Sequence, residues 1–318
     1  GKLIKPNKYE PAYQADLAIE FMKKNKDKPF FCFLSWGPPH TPLTPPSWIN
    51  KQQIEGAIKP RPNVPQESLS DPKYKSNLAA YFGLCEALDL EMGRLLKSLD
   101  EIGLAENTLV VFTSDHGDME YSHGLMYKNH PEEESCHVPL FMRWPGKIKA
   151  GQLPEIPVSS IDLMPTILAM AGLPAQNTCS GKNLSAVVTG GTVPDVASVY
   201  AEGKMVQPEK KADGKKKKKA VTADEGGADE SEGGDEWRMV VDSTHKLAQR
   251  CEKSTGKVYV YGLYDLVKDP FEMNNLADKA EAAPVQARLL AEMKNWAVKT
   301  GDVFPAKSKS AEKMYEKD

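Results

Sequence analysis

The sequence predicts an α/β fold, a sheet sandwiched by helices, followed by a smaller region of short strands closed by a final helix. Three observations carry this expectation. Apolar runs stop abruptly at polar residues and glycine, most clearly where Leu109-Val110-Val111-Phe112 meets Thr113-Ser114-Asp115-His116-Gly117. A helical periodicity stands between such runs, with Leu84, Leu88, Met92, Leu95 and Leu99 on one face. From about residue 196 the alternation of helix and strand gives way to strand-like segments alone. The 318 residues, 40% hydrophobic and 27% charged, suffice to bury a sizeable core in one large or two smaller domains.

Taken in order, residues 11 to 24 form an amphipathic helix with Leu17, Phe21 and Met22 on one side, feeding a strand at 29 to 35. A proline-rich loop from Gly37 to about Pro72 is long enough to be an irregular, substrate-facing segment. The leucine face then defines a helix from about 76 to 102, closed by Gly103 as a left-handed cap. The run ending at Thr113 is a strand buried on both faces of a parallel sheet, and a second strand follows at 138 to 144. Pro165 in the first turn and Gly172 as the stop mark a helix from about Asp162 to Ala171. Strands are expected at Ser198 to Glu202, Trp237 to Asp242, His245 to Ala248 and Val258 to Asp265, with a last helix from Pro284 to Thr300. Residues 208 to 236 hold the lysine run Lys215 to Lys219 and an acidic, glycine-rich stretch; such composition buries too little apolar area to offset ordering entropy, so a disordered insertion is expected. The organisation therefore divides at 195/196, with residues 1–195 as the α/β part and 196–318 as the smaller subdomain.

Composition excludes some functions. A net charge of −3 favours neither nucleic acid nor an anionic membrane. No apolar run approaches the roughly 18 residues of a membrane span. The five cysteines are scattered, odd in number and without metal-site spacing.

Chemistry is expected beyond the carboxyl end of the strand at 109–113, because ligands of open α/β sheets bind there. Asp115 offers a hard carboxylate suited to calcium or magnesium, the bland alternative being a turn cap. His116 follows it directly, although imidazole favours zinc-like ions. His40 sits after two prolines that stiffen its loop. His116, His123, His130 and His137 recur every seven residues, but Gly117, Gly124 and Pro131 rule out a single helical stripe. His130 and His137 are read as structural, as are Asp89, Asp162, Arg143 and Trp144.

These motifs, taken together, resemble the sulfatase family of the alkaline phosphatase superfamily. The resemblance rests on Ser114-Asp115-His116-Gly117, Lys128, the Val138-Pro139-Leu140 strand with its Pro145-Gly146 turn, Pro38-Pro39-His40-Thr41-Pro42, Ser160-Ile161-Asp162-Leu163-Met164-Pro165-Thr166, and Leu263-Tyr264-Asp265-Leu266-Val267-Lys268-Asp269-Pro270. It covers most of residues 9 to 279 in the family's order. It implies an antiparallel α+β subdomain at the carboxyl end. It also implies hydrolysis of organic sulfate esters, a sulfated carbohydrate among them, by a calcium-binding enzyme whose nucleophile is formylglycine. In that family the hydrated aldehyde attacks sulfur, the alcohol departs with a proton from a histidine, and sulfate is then expelled. Carried over residue by residue, Asp115 and His116 become metal ligands, His40 the proton donor to the leaving group, Lys128 the sulfate contact, and His123 a further pocket residue. The Cys-x-Pro-x-Arg or Ser-x-Pro-x-Arg signature is absent from the 318 residues, so the nucleophile and remaining calcium ligands are expected upstream of Gly1, and the fragment alone is expected to be inactive. The family implies a secreted, periplasmic or lysosomal setting. Two rivals stand: a phosphoester hydrolase of the same superfamily, and a non-catalytic binder of sulfated glycans.

Overall fold

The computed structural model describes residues 6–176, 178–192, 198–205 and 234–304. The insertion expected at 208–236 lies outside the described residues except at Gly234-Asp235-Glu236, the last of which already belongs to a strand. The chain forms two compact units, the first comprising residues 6–111 and 143–147, the second the remaining described residues.

The first unit is helical. Helix α1 (Glu10–Lys24) starts on Pro11 and buries Ala12, Ala15, Ala18 and Met22. Leu17 and Phe21, expected on its inner face, are only partly covered, and the buried face is made by the alanines and Met22. Short helices α2 (Lys51–Ala57) and α3 (Gln66–Leu69) interrupt the proline-rich loop. Helix α4 (Tyr74–Glu101) is the long leucine helix, and Gly103 follows it with φ of 75°, as a left-handed cap requires. Met22, Leu99 and Ala105 form a buried cluster joined by Ile19, Phe30, Leu95 and Val110. The strand expected at 29–35 is not formed. Residues 29–37 carry no helix or strand, Phe31 and Phe33 are 75% and 80% exposed, and no described strand pairs with the segment to supply a ladder.

Strand β1 (Val110–Thr113) and strand β2 (Leu140–Arg143), with α5 (Glu133–Cys136) between them in sequence, make a two-stranded sheet. β1 is half-buried rather than buried on both faces, because two strands cover less of each other than a wide sheet would. After the sheet, the backbone of Ser159 and the carboxylate of Asp162 form a reciprocal cap, leading into α6 (Leu163–Met170) and its stop at Gly172. Helix α7 (Ser185–Val188) follows.

The antiparallel sheet runs β3 (Val199–Lys204), β4 (Glu236–Val241), β5 (His245–Cys251) and β6 (Val258–Asp265) in simple sequential order. Gly203 stands opposite Trp237 in the register, with a bulge at Ala248/Gln249. Helix α8 (Ala283–Thr300) lays Leu289 and Met293 on Val240, Leu247 and Leu263, all buried. A second cluster, Met205, Trp237, Met239 and Ala248, takes Cys136 against it.

Candidate functional site

Residues 112–142 begin as a strand and then fold back through a hydrogen-bonded loop. Gly117 N donates to Ser135 O (2.9 Å), Met119 N to Tyr127 O (2.8 Å), and Tyr121 N to Leu125 O (2.9 Å). Gly117 is required at the crossing, because a Cβ there would lie 2.0 Å from the Glu134 carbonyl oxygen. The Asp118 carboxylate accepts from Glu120 N (3.2 Å) and Tyr127 N (2.9 Å), closing the loop on itself.

At the strand end, Asp115 Oδ1 accepts from His116 N (3.0 Å) and the Ser114 hydroxyl (3.3 Å), while its side chain is 86% exposed. Slight burial raises its carboxyl, but the His116 ring, the backbone N–H groups and the Ser114 hydroxyl outweigh that and hold it below the usual carboxylate range. His116 Nδ1 lies 2.8 Å from Gly117 O, a contact in which only a protonated ring nitrogen can take part. In the neutral ring this leaves the lone pair on Nε2, which stands 3.6 Å from Asp115 Oδ2. A carboxylate oxygen and an imidazole nitrogen facing each other at this distance fit two adjacent ligands of one divalent cation, with the second ring nitrogen oriented by a carbonyl.

Lys128 is half-buried, and among the described residues its ammonium forms no ion pair. His123 has φ of 55° and comes together with Glu134 and Glu272; one ligand atom from each lies within 4.8 Å of the others. That group already faces a cation. Lys246 is 1% exposed, its ammonium contacts Glu272, and it donates to Glu133 Oε1 (3.1 Å) and Pro131 O (2.8 Å). Two carboxylates thus share one buried ammonium. Glu133, despite burial, is held down to about 2 by His137 and Lys246, while burial dominates at Glu272 and pushes it up to about 7.

His40 lies in the first unit, exposed, with Nδ1 2.8 Å from Thr41 O and cis peptides on either side, at Pro38-Pro39 and Thr41-Pro42. His130 is buried, and His137 pairs with Glu133 at 2.8 Å; Trp144 Nε1 donates to Glu106 O (2.8 Å) and Arg143 to Asp100 (3.3 Å). His137, Trp144 and Arg143 thus make local hydrogen-bond or ion-pair contacts. The network of Trp237, Lys246 and Glu272 was not anticipated. A signal was available: Lys246 interrupts the strand run ahead of Leu247-Ala248 at a position where a solvated lysine is out of pattern, and Glu132-Glu133-Glu134 is the acidic run able to meet it.

The family model described as sulfatase matches residues 5–173, more than half of the chain. The chain belongs to the sulfatase family. It is 27% identical to an endo-4-O-sulfatase of Bacteroides thetaiotaomicron, over 87% of this chain and 54% of that protein. A Bacteroides thetaiotaomicron structure from work on glycosaminoglycan metabolism superimposes with a TM-score of 0.76 at 26% identity, covering 95% of this chain and 61% of the other. A phosphonate monoester hydrolase of Silicibacter pomeroyi shares the fold, with a TM-score of 0.72 at 24% identity over 91% and 60% of the two chains. The sulfatase chain spans about half the length of the curated relatives it matches. No described helix is long and apolar enough to cross a membrane.

Proposed function

We propose that the sulfatase containing this chain hydrolyses organic sulfate esters, with a sulfated carbohydrate as the substrate class, and that residues 1–195 supply part of its catalytic domain. The observation that carries this reading is the strand end at Ser114-Asp115-His116, where a carboxylate and an imidazole stand 3.6 Å apart, followed by a hydrogen-bonded loop in which the Lys128 ammonium forms no ion pair among the described residues. Asp115 and His116 would hold calcium, which when bound would supply positive charge to the sulfate oxygens. A formylglycine, the nucleophile the family resemblance implies, would supply the attacking oxygen; its signature is not among the 318 residues. Within the chain, Lys128 meets the negative charge that develops on sulfate and on the bridging oxygen, where a fixed cation is worth most in the transition state. His40 delivers a proton to the departing alcohol; its Nδ1 is engaged by Thr41 O, which leaves Nε2 as the exchanging nitrogen. His123 is a further pocket residue of lower weight, because its neighbours are Glu134 and Glu272.

The activities of relatives, an endo-4-O-sulfatase and an arylsulfatase, support this reading. The phosphonate hydrolase likeness keeps a phosphoester hydrolase as the second reading, on fold alone. The test is turnover of 4-nitrophenyl sulfate and 4-nitrophenyl phosphate by the natural protein, before and after calcium chelation, with Asp115→Asn and Lys128→Ala alongside. Sulfate ester cleavage that falls at least tenfold in each variant, and on chelation, is expected. Preferential phosphate ester cleavage, or full activity in Asp115→Asn, would overturn the assignment.

A further inference from the structure

Lys128 is flanked by two left-handed residues, Tyr127 with φ of 66° and Asn129 with φ of 71°. Non-glycine residues in this region are strained and persist only where their surroundings hold them. The antiparallel sheet does the holding. Trp237 Nε1 donates to Asn129 O (3.1 Å), Lys246 Nζ to Pro131 O (2.8 Å), and the Tyr261 hydroxyl to Glu132 Oε1 (2.9 Å). On the other side of Lys128, Tyr127 is held through both its N–H, on Asp118 (2.9 Å), and its carbonyl, on Met119 N (2.8 Å). The grip is therefore on the residues around Lys128, and among the described residues its own ammonium forms no ion pair.

We propose that Trp237 and Lys246 are positioning residues for Lys128, fixing from β4 and β5 the backbone that aims its ammonium at substrate. This rests on the reading of Lys128 as a sulfate contact. The indole bond is not incidental to packing. Trp237 is 4% exposed, and the backbone opposite it is Gly203, where a Cβ would lie 2.4 Å from the Trp237 ring. The absent side chain at Gly203 gives the indole its slot, and with it the direction of its N–H. Lys246 fixes the next carbonyl but one, and its two carboxylate partners keep its head from turning away.

The experiment is a double-mutant cycle in the natural enzyme, with 4-nitrophenyl sulfate and an alkyl sulfate of poorer leaving group. Trp237→Phe removes one N–H and keeps an aromatic ring. It is expected to lower kcat about tenfold with little change in KM, more steeply for the alkyl sulfate, as a small misplacement of a transition-state contact does. In a Lys128→Ala background, Trp237→Phe should cost nothing further, because it acts through Lys128. Gly203→Ala, which displaces the same indole from the other side, should repeat the result if Trp237→Phe does not fold. Equal losses with and without Lys128, or no loss in Trp237→Phe, would overturn the positioning role and leave Lys128 standing. A wild-type protein without turnover, or a fully active Lys128→Ala, would remove the reading of Lys128 and the proposal with it.

Discussion

Replacing Lys246 with methionine takes away one ammonium that three acceptors share while nearly preserving the volume of the side chain. Lys246 and Glu272 are each 1% exposed at their side chains, so water cannot replace the lost partner. Glu133 retains His137, but Glu272 loses the Lys246 ammonium, and Pro131 O loses its donor. Breaking a buried pair from one side costs about 3–5 kcal/mol, since the other charge stays buried. At roughly 2–4 °C per kcal/mol for a chain of this size, melting should fall by about 6–20 °C. The loss should depend on pH. Burial already raises the Glu272 carboxyl to about 7 from 4.5, so the folded state holds a proton that the unfolded state has released; that contribution is complete below about 4.5 and fades as pH rises through 7. Without Lys246 the carboxyl rises further, so the variant should be least damaged near pH 5 and most damaged near pH 8. Urea and thermal unfolding of the 318-residue chain at both pH values measure this. The double variant Lys246→Met, Glu272→Leu should recover most of the loss. A cost under about 1 kcal/mol, or one independent of pH, would refute the account of two carboxylates on one ammonium.

Other consequences are open to measurement. Gly117→Ala should destabilise by about 1–3 kcal/mol and speed hydrogen exchange through 117–135, since the new methyl would meet Glu134 O at 2.0 Å. The His137–Glu133 pair should stabilise most between about pH 4.5 and 6.5: the raised His137 contributes fully below 6.5 and loses this above, while the depressed Glu133 contributes above 4.5 and loses it towards 2. His137→Gln should flatten unfolding midpoints across that window. Arg238→Met should cost roughly 3 kcal/mol, because Arg238 grips both oxygens of Asp302 at 2.7 and 2.9 Å with only 10% of its side chain exposed.

Periodicity and punctuation are local properties, and where they sufficed the sequence was legible. The leucines of α4, the closing glycines at 103 and 172, and the strands β3 to β6 all follow from residues within a few positions of each other. Expectations that depended on distant partners fared differently. Phe30-Phe31-Cys32-Phe33 reads as a strand, yet a strand exists only if another supplies its hydrogen bonds, and no described segment does so. Leu17 and Phe21 looked like the inner face of α1, but alanines permit a closer approach to α4 and took that face. At the candidate site, Asp115 and His116 draw attention because a strand end advertises them. The grip on the Lys128 loop was not, since it joins residues more than a hundred positions apart.

The segment Tyr264 to Asn275 shows how a motif can be read as a hallmark long before its physical reason is known. Each of its acids has a definite task. Asp265 Oδ1 accepts from Val267 N (3.2 Å) and Lys268 N (3.1 Å), turning the chain out of β6, and Asp269 accepts from Met273 N (3.1 Å) and Asn274 N (2.7 Å), turning it again. Asn275 then bonds back to Leu263 N (3.1 Å) and Tyr261 O (3.1 Å), pinning the returning segment to the strand it left. Within the second turn stands Glu272, with φ of 54°, and its carboxylate accepts the N–H of Glu133 at 2.8 Å. Two acidic turns and one amide clamp therefore serve to place a single carboxylate against the first turn of α5. That carboxylate recruits Lys246, and Lys246 holds the carbonyl of Pro131. The acids of this tail are spent on local geometry; through Glu272, that geometry is passed to the loop that carries Lys128.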